Sequence, residues 1–482
     1  MGPDHKKTGW MVNALLLAAL GAAVVSAPAA TPRPARPAPA VPVLATPAPS
    51  NHCIDDDTSE QKAAAARPAA TPGATALPAG AAAKAAPRLN LLSMVQEAIR
   101  HSNSVGAAKL LSEAAVIDID EVKAGRLPQV GVAGQMGGID AGAPGTPSAK
   151  GGQFQGALTI SAPLYDGGRI SDLTSWRGHL AEAARLGEIT AQEQVALQTV
   201  SLALERSRYT VESQVYEQYA RKMGCLVDAL TQIVSADKGR TSELVQARKT
   251  QQQAELARDQ SLSQKRLAEV RLKRFVGDNL PPTEGITSVM LDIPPLQDLL
   301  AVAARSSEVA ALGAQADALD SYVRAVLDGQ KPQLGWLLSA SRSAGAGNSH
   351  SVSGGVTFNI PLYSPANDYT TNAAKKRAEA ARLQREDALE ARQFRMREVH
   401  EQAQHSMDRA HQVVEILHNS ELVRNYTLQQ WQQLGRRSLF DVMAAEGDHY
   451  NMRVQYVDAL YDTQQSNALL WSLGLGLAVH LE

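Results

Sequence analysis

The chain has 482 residues, room by length alone for two or three domains. Its formal net charge of −2 leaves no basic footprint for nucleic acid. Two cysteines cannot build a disulfide framework: Cys53 falls in linker composition and Cys225 in a long helical pattern, where a tolerated thiol and a small packing residue are the simplest readings.

The amino terminus has the layout of a secretory signal over residues 1–27. Lys6 and Lys7 supply the positive start, and Met11 to Val25 an apolar core too short for a comfortable span. Val25-Ser26-Ala27 offers small residues for cleavage; an uncleaved anchor is the competing reading. Residues 28–87 carry 12 of the 24 prolines in an Ala/Pro background, a composition that cannot bury a core and reads as a disordered spacer. Asp55, Asp56 and Asp57 beside His52 and Cys53 read first as a solvated charge cluster, ahead of a metal site.

Leu91, Leu92, Val95, Ala98 and Ile99 mark a short amphipathic helix, and a second helix runs to about Arg126. Pro128 ends it and starts a strand in which Val130, Val132, Gly134 and Met136 alternate with Gln129, Gly131, Ala133 and Gln135. A glycine-rich loop leads to a second strand, where Phe154, Gly156, Leu158, Ile160 and Ala162 alternate with Gln155, Ala157, Thr159 and Ser161. Residues 168–237 then hold no proline, enough for a helix of ~105 Å. It turns at Gly239, and a helix of about 35 residues returns to near Val276.

The chain then repeats itself. RLPQVGV at 126–132 returns as QKPQLGW at 330–336, SAPLYDGGRI at 161–170 as NIPLYSPAND at 359–368, and ELVQAR at 243–248 as DVMAAE at 441–446. Pro128 and Pro332 lie 204 residues apart; Pro163 and Pro361, like Ala247 and Ala445, lie 198 apart. A shared register this long is a duplicated half-domain, not a solenoid, whose periods run ~20–50 residues. The first repeat is assigned to 88–276, a connecting segment to 277–297 and the second repeat to 298–477. Leu334, Trp336 and Leu338, then Val352, Val356, Phe358 and Ile360, supply the second strand pair; residues 366–434 lack proline and turn at Gly435.

Four strands of membrane-spanning length, apolar on one face and small or polar on the other, cannot close a barrel, and open edges do not survive in lipid. Several chains must share one. A dimer gives eight strands with a filled interior; a trimer gives twelve and a lumen, which suits the small polar face. The expected class is mainly α with membrane β: a trimeric β-barrel, four strands per chain, continued by long helices and internally duplicated.

The two strand–PLY–long helix units, with LGRRSLFDVMAAEGDHYNMRVQYVDALYD at 434–462, resemble the TolC family of outer-membrane export channels over about 89–477. QQSNALLWSLGLGL at 464–477 resembles the branch paired with type I protein secretion. The resemblance implies a homotrimer in the outer membrane, a helical barrel through the periplasm, and an equatorial strap from 277–297 and the termini. It implies helix tips that meet a periplasmic adaptor and an inner-membrane ABC exporter or pump. No catalytic constellation, metal motif or cofactor site stands out, so the chain is read as a non-enzyme.

Matched to the family, Arg437 and Asp441 fall on the gating arginine and first acidic gate position, and Glu243 on its acidic partner. Ala444 replaces the second acidic position. Gly239, Arg240, Leu434, Gly435 and Arg436 fall on the adaptor-contact tips. Beside this, Ser438-Leu439-Phe440-Asp441 has the spacing of a helix capping box, which explains Asp441 without a gate. Pro128, Pro163, Tyr165, Pro332, Pro361 and Tyr363 mark the strand–helix junctions. The tyrosines read as packing plus interface, ahead of an aromatic girdle. The leading function is the outer-membrane conduit of type I secretion, carrying a large polypeptide of the RTX toxin or adhesin kind. The alternative is the duct of a multidrug or metal efflux pump. A periplasmic adaptor or an adhesin stalk would not need two strand-plus-hairpin repeats.

Overall fold

The computed structural model describes residues 79–142, 149–282, 286, 289–431, 437–474 and 476–481. The signal, the spacer up to residue 78, and Leu434, Gly435 and Arg436 lie outside these residues. The spacer reading is corrected at its end: α1 spans Ala79–His101, so helix begins before residue 88 in an alanine-rich run with high helix propensity. Next come α2 (Asn103–Ala124), β1 (Gln129–Ala141), β2 (Ala149–Tyr165), α3 (Arg169–Ala236) and α4 (Thr241–Val276). The second half gives α5 (Leu296–Val302), α6 (Ser307–Asp328), β3 (Gln333–Gly345), β4 (Ser349–Asn359), α7 (Pro365–Gln429), α8 (Leu439–Leu473) and a short α9 (Leu477–Leu481). No described helix is long and apolar enough to cross a membrane.

The strands form one antiparallel sheet in the order β1-β2-β3-β4, so the hairpins of the two repeats pair through β2 and β3. The strands of the first hairpin exceed their apolar alternation because the glycine-rich flanks also pair, from Gly137↔Gln153 out to Ala141↔Ala149. α3 has 68 residues and α7 has 65, each ~100 Å long. α4 and α8, with 36 and 35 residues, return along them for ~50 Å.

The two repeats turn from strand into helix by different chemistry. Gly167 and Gly168 have φ of 70° and 101°. A Cβ on Gly168 would lie 2.7 Å from Asp328 Oδ2. Asp166 accepts the Ile170 amide at 2.6 Å and the Gly168 amide at 3.1 Å, fixing the entry to α3. In the second repeat Pro365 opens α7, where its missing N–H costs nothing.

Apolar contacts gather at two levels. An equatorial core joins Leu91 and Val95 of α1, Val200 and Leu204 of α3, Leu272 of α4, Ile286 and Val289 of the connector, Tyr461 of α8 and Leu477 of α9. A tip core joins Met223 and Leu230 of α3 to Leu244 of α4 and Leu439 and Val442 of α8. Cys225 lies in α3 between Met223 and Leu226 of that tip core; Cys53 lies outside the described residues.

Candidate functional site

Three levels of the molecule hold the functional candidates: the sheet, the equator and the tip. Register gives the sheet two chemically distinct faces. Val130↔Ile160, Val132↔Leu158 and Met136↔Phe154 share a face with Leu334↔Phe358, Trp336↔Val356 and Ala340↔Val352. The other face aligns Gln135↔Gln155, Gly131↔Thr159, Ser339↔Ser353 and Ser341↔Ser351. Hydroxyl ladders stitch it, with Ser341 and Ser351 Oγ 2.8 Å apart and Ser343 and Ser349 Oγ 2.8 Å apart. No residue on this face of the four strands is ionisable.

Pro128 and Pro332 each precede a strand by one residue, at the junctions the sequence marks. Pro163 lies inside β2, at a register shift between Pro163 and Tyr165; Pro361 lies just beyond β4. The packing half of the tyrosine reading is corrected: Tyr165 is 53% exposed and Tyr363 88% exposed, so neither is buried within its own chain. Leu362, beside Tyr363, is 92% exposed.

At the equator the connector is tied down by amides. Gln464 Nε2 donates to the carbonyls of Ile286 and Val289 at 2.9 and 2.6 Å, and Asn467 Nδ2 to that of Met290 at 2.8 Å. Glu193 accepts the Leu477 amide at 2.8 Å, and Arg88 donates to the His480 carbonyl at 2.8 Å, so α1 and α9 meet there.

Between equator and tip lies a charge network that sequence reasoning missed. Arg208 bridges Glu212 at 2.9 Å, Asp458 at 2.8 Å and Asp462 at 3.3 Å, and Arg409 bridges Asp462 at 2.6 Å, tying α3, α8 and α7 together. Ser261 of α4 donates to Glu212 at 3.4 Å. Burial pushes the Glu212 carboxyl up to about 7; Arg208 opposes the shift, and Asp458 adds to it. The i,i+4 pairs Arg208/Glu212 and Asp458/Asp462 were the available signal, one that solvated helix faces give as well.

At the tip, Lys238–Arg240 form a 3-10 turn capped by Asp237, whose Oδ1 accepts the Gly239 amide at 2.9 Å. Gly239 is not in the left-handed region; a Cβ there would lie 3.1 Å from Asp237 Oδ1, so a close approach explains the glycine. Arg240 lies 4.0 Å from Glu243. In the second hairpin, Ser438 Oγ accepts the Asp441 amide at 3.3 Å and Asp441 Oδ2 accepts the Ser438 amide at 3.1 Å, a complete capping box. Arg437 donates through Nε to Gln430 at 3.2 Å, reaching back to the end of α7. Within one chain the tip core thus sets Glu243, Arg437 and Asp441 at one end of the molecule, with Asp441 engaged as a cap.

The sequence matches no family model, and no curated protein matches it. Solved structures do match. The channel protein CusC aligns at TM-score 0.71 and 15% identity, over 80% of this chain and 92% of its own. The outer membrane protein VceC of Vibrio cholerae aligns at TM-score 0.68 and 16% identity, over 81% and 97%. The open state of the MtrE outer membrane channel of Neisseria gonorrhoeae aligns at 0.64 and 14%, over 80% and 89%. These neighbours are TolC-family outer-membrane channels, and the chain has their fold.

Proposed function

We propose that three copies of this chain form an outer-membrane duct whose helices extend through the periplasm to an adaptor and an inner-membrane ABC exporter or pump. The observation that carries the reading is the sheet. It has two unpaired edges, β1 and β4, one apolar face and one uncharged hydrogen-bonding face, and it is mounted on hairpins ~100 Å long. Closed by three chains, it turns the apolar face to lipid and the amides and hydroxyls to a water-filled bore. The duct performs no reaction; the inner-membrane partner supplies the energy.

The cargo we assign is a polypeptide exported by type I secretion, supported by the resemblance of residues 464–477 to that branch. Efflux of drugs or metals is the second reading, supported by the same wall, whose neutral groups suit small solutes too. Cross-linking and native mass measurement in detergent should give three chains, and planar bilayers should show discrete channels. A stable soluble monomer without conductance overturns the duct. For cargo, deletion should remove a large protein from the medium; an unchanged secretome with new drug or metal sensitivity would replace secretion by efflux.

A further inference from the structure

One chain leaves two helix flanks bare. Towards the tip, α4 packs on α3, α3 on α8 and α8 on α7; towards the sheet, α2 packs on α3, α3 on α6 and α6 on α7. The helical wall therefore ends in α7 at one edge, and in α2 and α4 at the other. α7 buries Ala378, Ala381, Ala403 and Ala410, and its opposite flank carries Leu383, Glu401 and Asp408, all exposed. α4 buries Ala254, Ser261 and Ala268, and its opposite flank carries Arg266 and Arg274, both exposed. α2 buries Val105 and Ser112 and leaves Leu110 and Ile117, seven residues apart, on its outer side. Among the described residues, the side chains of Glu401, Asp408 and Arg266 make no hydrogen bond or ion pair.

Ion pairs inside the chain fix which residues stand level. Asp462 of α8 holds both Arg208 of α3, at 3.3 Å, and Arg409 of α7, at 2.6 Å, so α3 and α7 descend in step. Arg206 of α3 holds Glu269 of α4 at 3.0 Å, and Arg177 of α3 holds Asp118 of α2 at 3.2 Å. Counted from these pairs, Asp408 stands level with Arg266 to within one helical turn, and Glu401 with Arg274. Leu383 stands level with Leu110 to within one turn; they are 60% and 66% exposed. Nearer the sheet the signs reverse: Lys376 of α7 stands level with Asp120 and Glu121 of α2. Lys376 and Asp120 hold exposed local partners, Glu379 and Lys123.

We infer that the α7 flank is the seat of a second copy of this chain, whose α2 and α4 flank it matches residue by residue. The inference deepens the proposed trimer and rests on it. Copies related by rotation about one axis sit at one height, so levels fixed within a chain carry over to its neighbour. A head-to-tail contact of this kind closes into a ring. Leu383 then meets Leu110, Asp408 meets Arg266, and Glu401 meets Arg274. The ion pairs add little affinity singly, but they set the register. A slip of seven residues towards the tip moves Asp408 from Arg266 to Asp259, and the reversal of sign near the sheet rejects an inverted neighbour.

The test uses the full-length chain. In a Cys53→Ser, Cys225→Ser background, Leu110→Cys with Leu383→Cys is treated with a short bis-maleimide linker. The pair should give covalent dimers and trimers on a denaturing gel, and each single cysteine variant should stay at one chain. In the native background, Glu401→Arg with Asp408→Arg should lower the temperature at which trimers dissociate. Adding Arg266→Glu and Arg274→Glu should recover most of that loss, which a merely misfolded variant would not do. Trimers that show no Leu110–Leu383 linkage between chains, linkage of Leu383 to a different protein, or no recovery in the fourfold variant overturns the inference. A wild-type chain that never forms trimers refutes the duct itself, a separate outcome.

Discussion

Asp441 carries two roles that one set of substitutions separates. As a cap, its carboxylate accepts the Ser438 amide at 3.1 Å while Ser438 Oγ accepts its own amide at 3.3 Å. As a gate residue, three copies near one axis would repel each other and attract cations. Ser438→Ala removes the cap and keeps the charge; it should cost about 1 kcal/mol per chain, hence about 3 kcal/mol in a trimer. Asp441→Asn keeps an acceptor and removes the charge; it loses only the favourable placement of an anion at the start of α8, about 0.3–1 kcal/mol per chain. Hydrogen exchange over the first turn of α8 reads the cap, and multivalent cation block of single channels in planar bilayers reads the gate. Ser438→Ala should speed exchange and leave cation block in place, whereas Asp441→Asn should weaken cation block with a smaller change in exchange. If Asp441→Asn leaves cation block unchanged, the gate role is refuted and Asp441 is a helix cap.

Arg437→Ser removes the 3.2 Å bond to Gln430 that ties the second hairpin to α7, and should raise single-channel conductance and sensitise cells to large antibiotics; unchanged conductance would remove Arg437 from the gate. Glu212 has a folded pKa of about 7 against an ordinary value of 4.5, so the folded state keeps a proton that the unfolded chain releases. Its contribution is fully present below pH 4.5 and is lost as pH rises through about 7. Glu212→Gln cannot titrate, so its heat stability relative to wild type should improve steadily from pH 5 to pH 8, and a flat difference would contradict the shifted carboxyl. Gly168→Ala forces a side chain onto a φ of 101° and against Asp328, and should cost about 1–3 kcal/mol, read as oligomers that dissociate at lower temperature. Gly131→Ala, with nothing within 4 Å, is the matched control and should change little.

The sheet and the helix lengths were legible because their causes are local. Alternation at Val130/Val132 and Val352/Val356 names the two faces, Pro128 and Pro332 mark strand starts, and the absence of proline over 168–237 lets one helix run. The capping box at Ser438 was legible as spacing. The first tip was not, because the residue that shapes it is Asp237, two positions before the glycine that draws attention. The Arg208 network was out of reach for another reason. Its pairing with Asp458 spans 250 residues, and only the packing of α3 on α8 brings the two together. Tyr165 and Tyr363 mark a further limit, since a strand–helix corner in sequence does not reveal whether its aromatic faces its own chain or a neighbour.

What a single chain leaves unpaired bears on how copies meet. β2 and β3 join the two repeats antiparallel, and by the duplication β4 of one copy stands to β1 of the next as β2 stands to β3. In the proposed trimer the barrel is then six near-equivalent hairpins, three seams lying within chains and three between them. The seams are not equal. β2 has 17 residues and carries the shift at Pro163, while β4 has 11 and stops at Asn359 before Pro361. A shorter strand offers fewer ladder bonds, so backbone pairing between copies is the weaker of the two kinds. The exposed side chains of Leu362 and Tyr363, just past the end of β4, stand where that deficit arises. Apolar contact across the chain boundary can supply what the ladder lacks, which explains why this junction keeps large apolar side chains that nothing in its own chain buries.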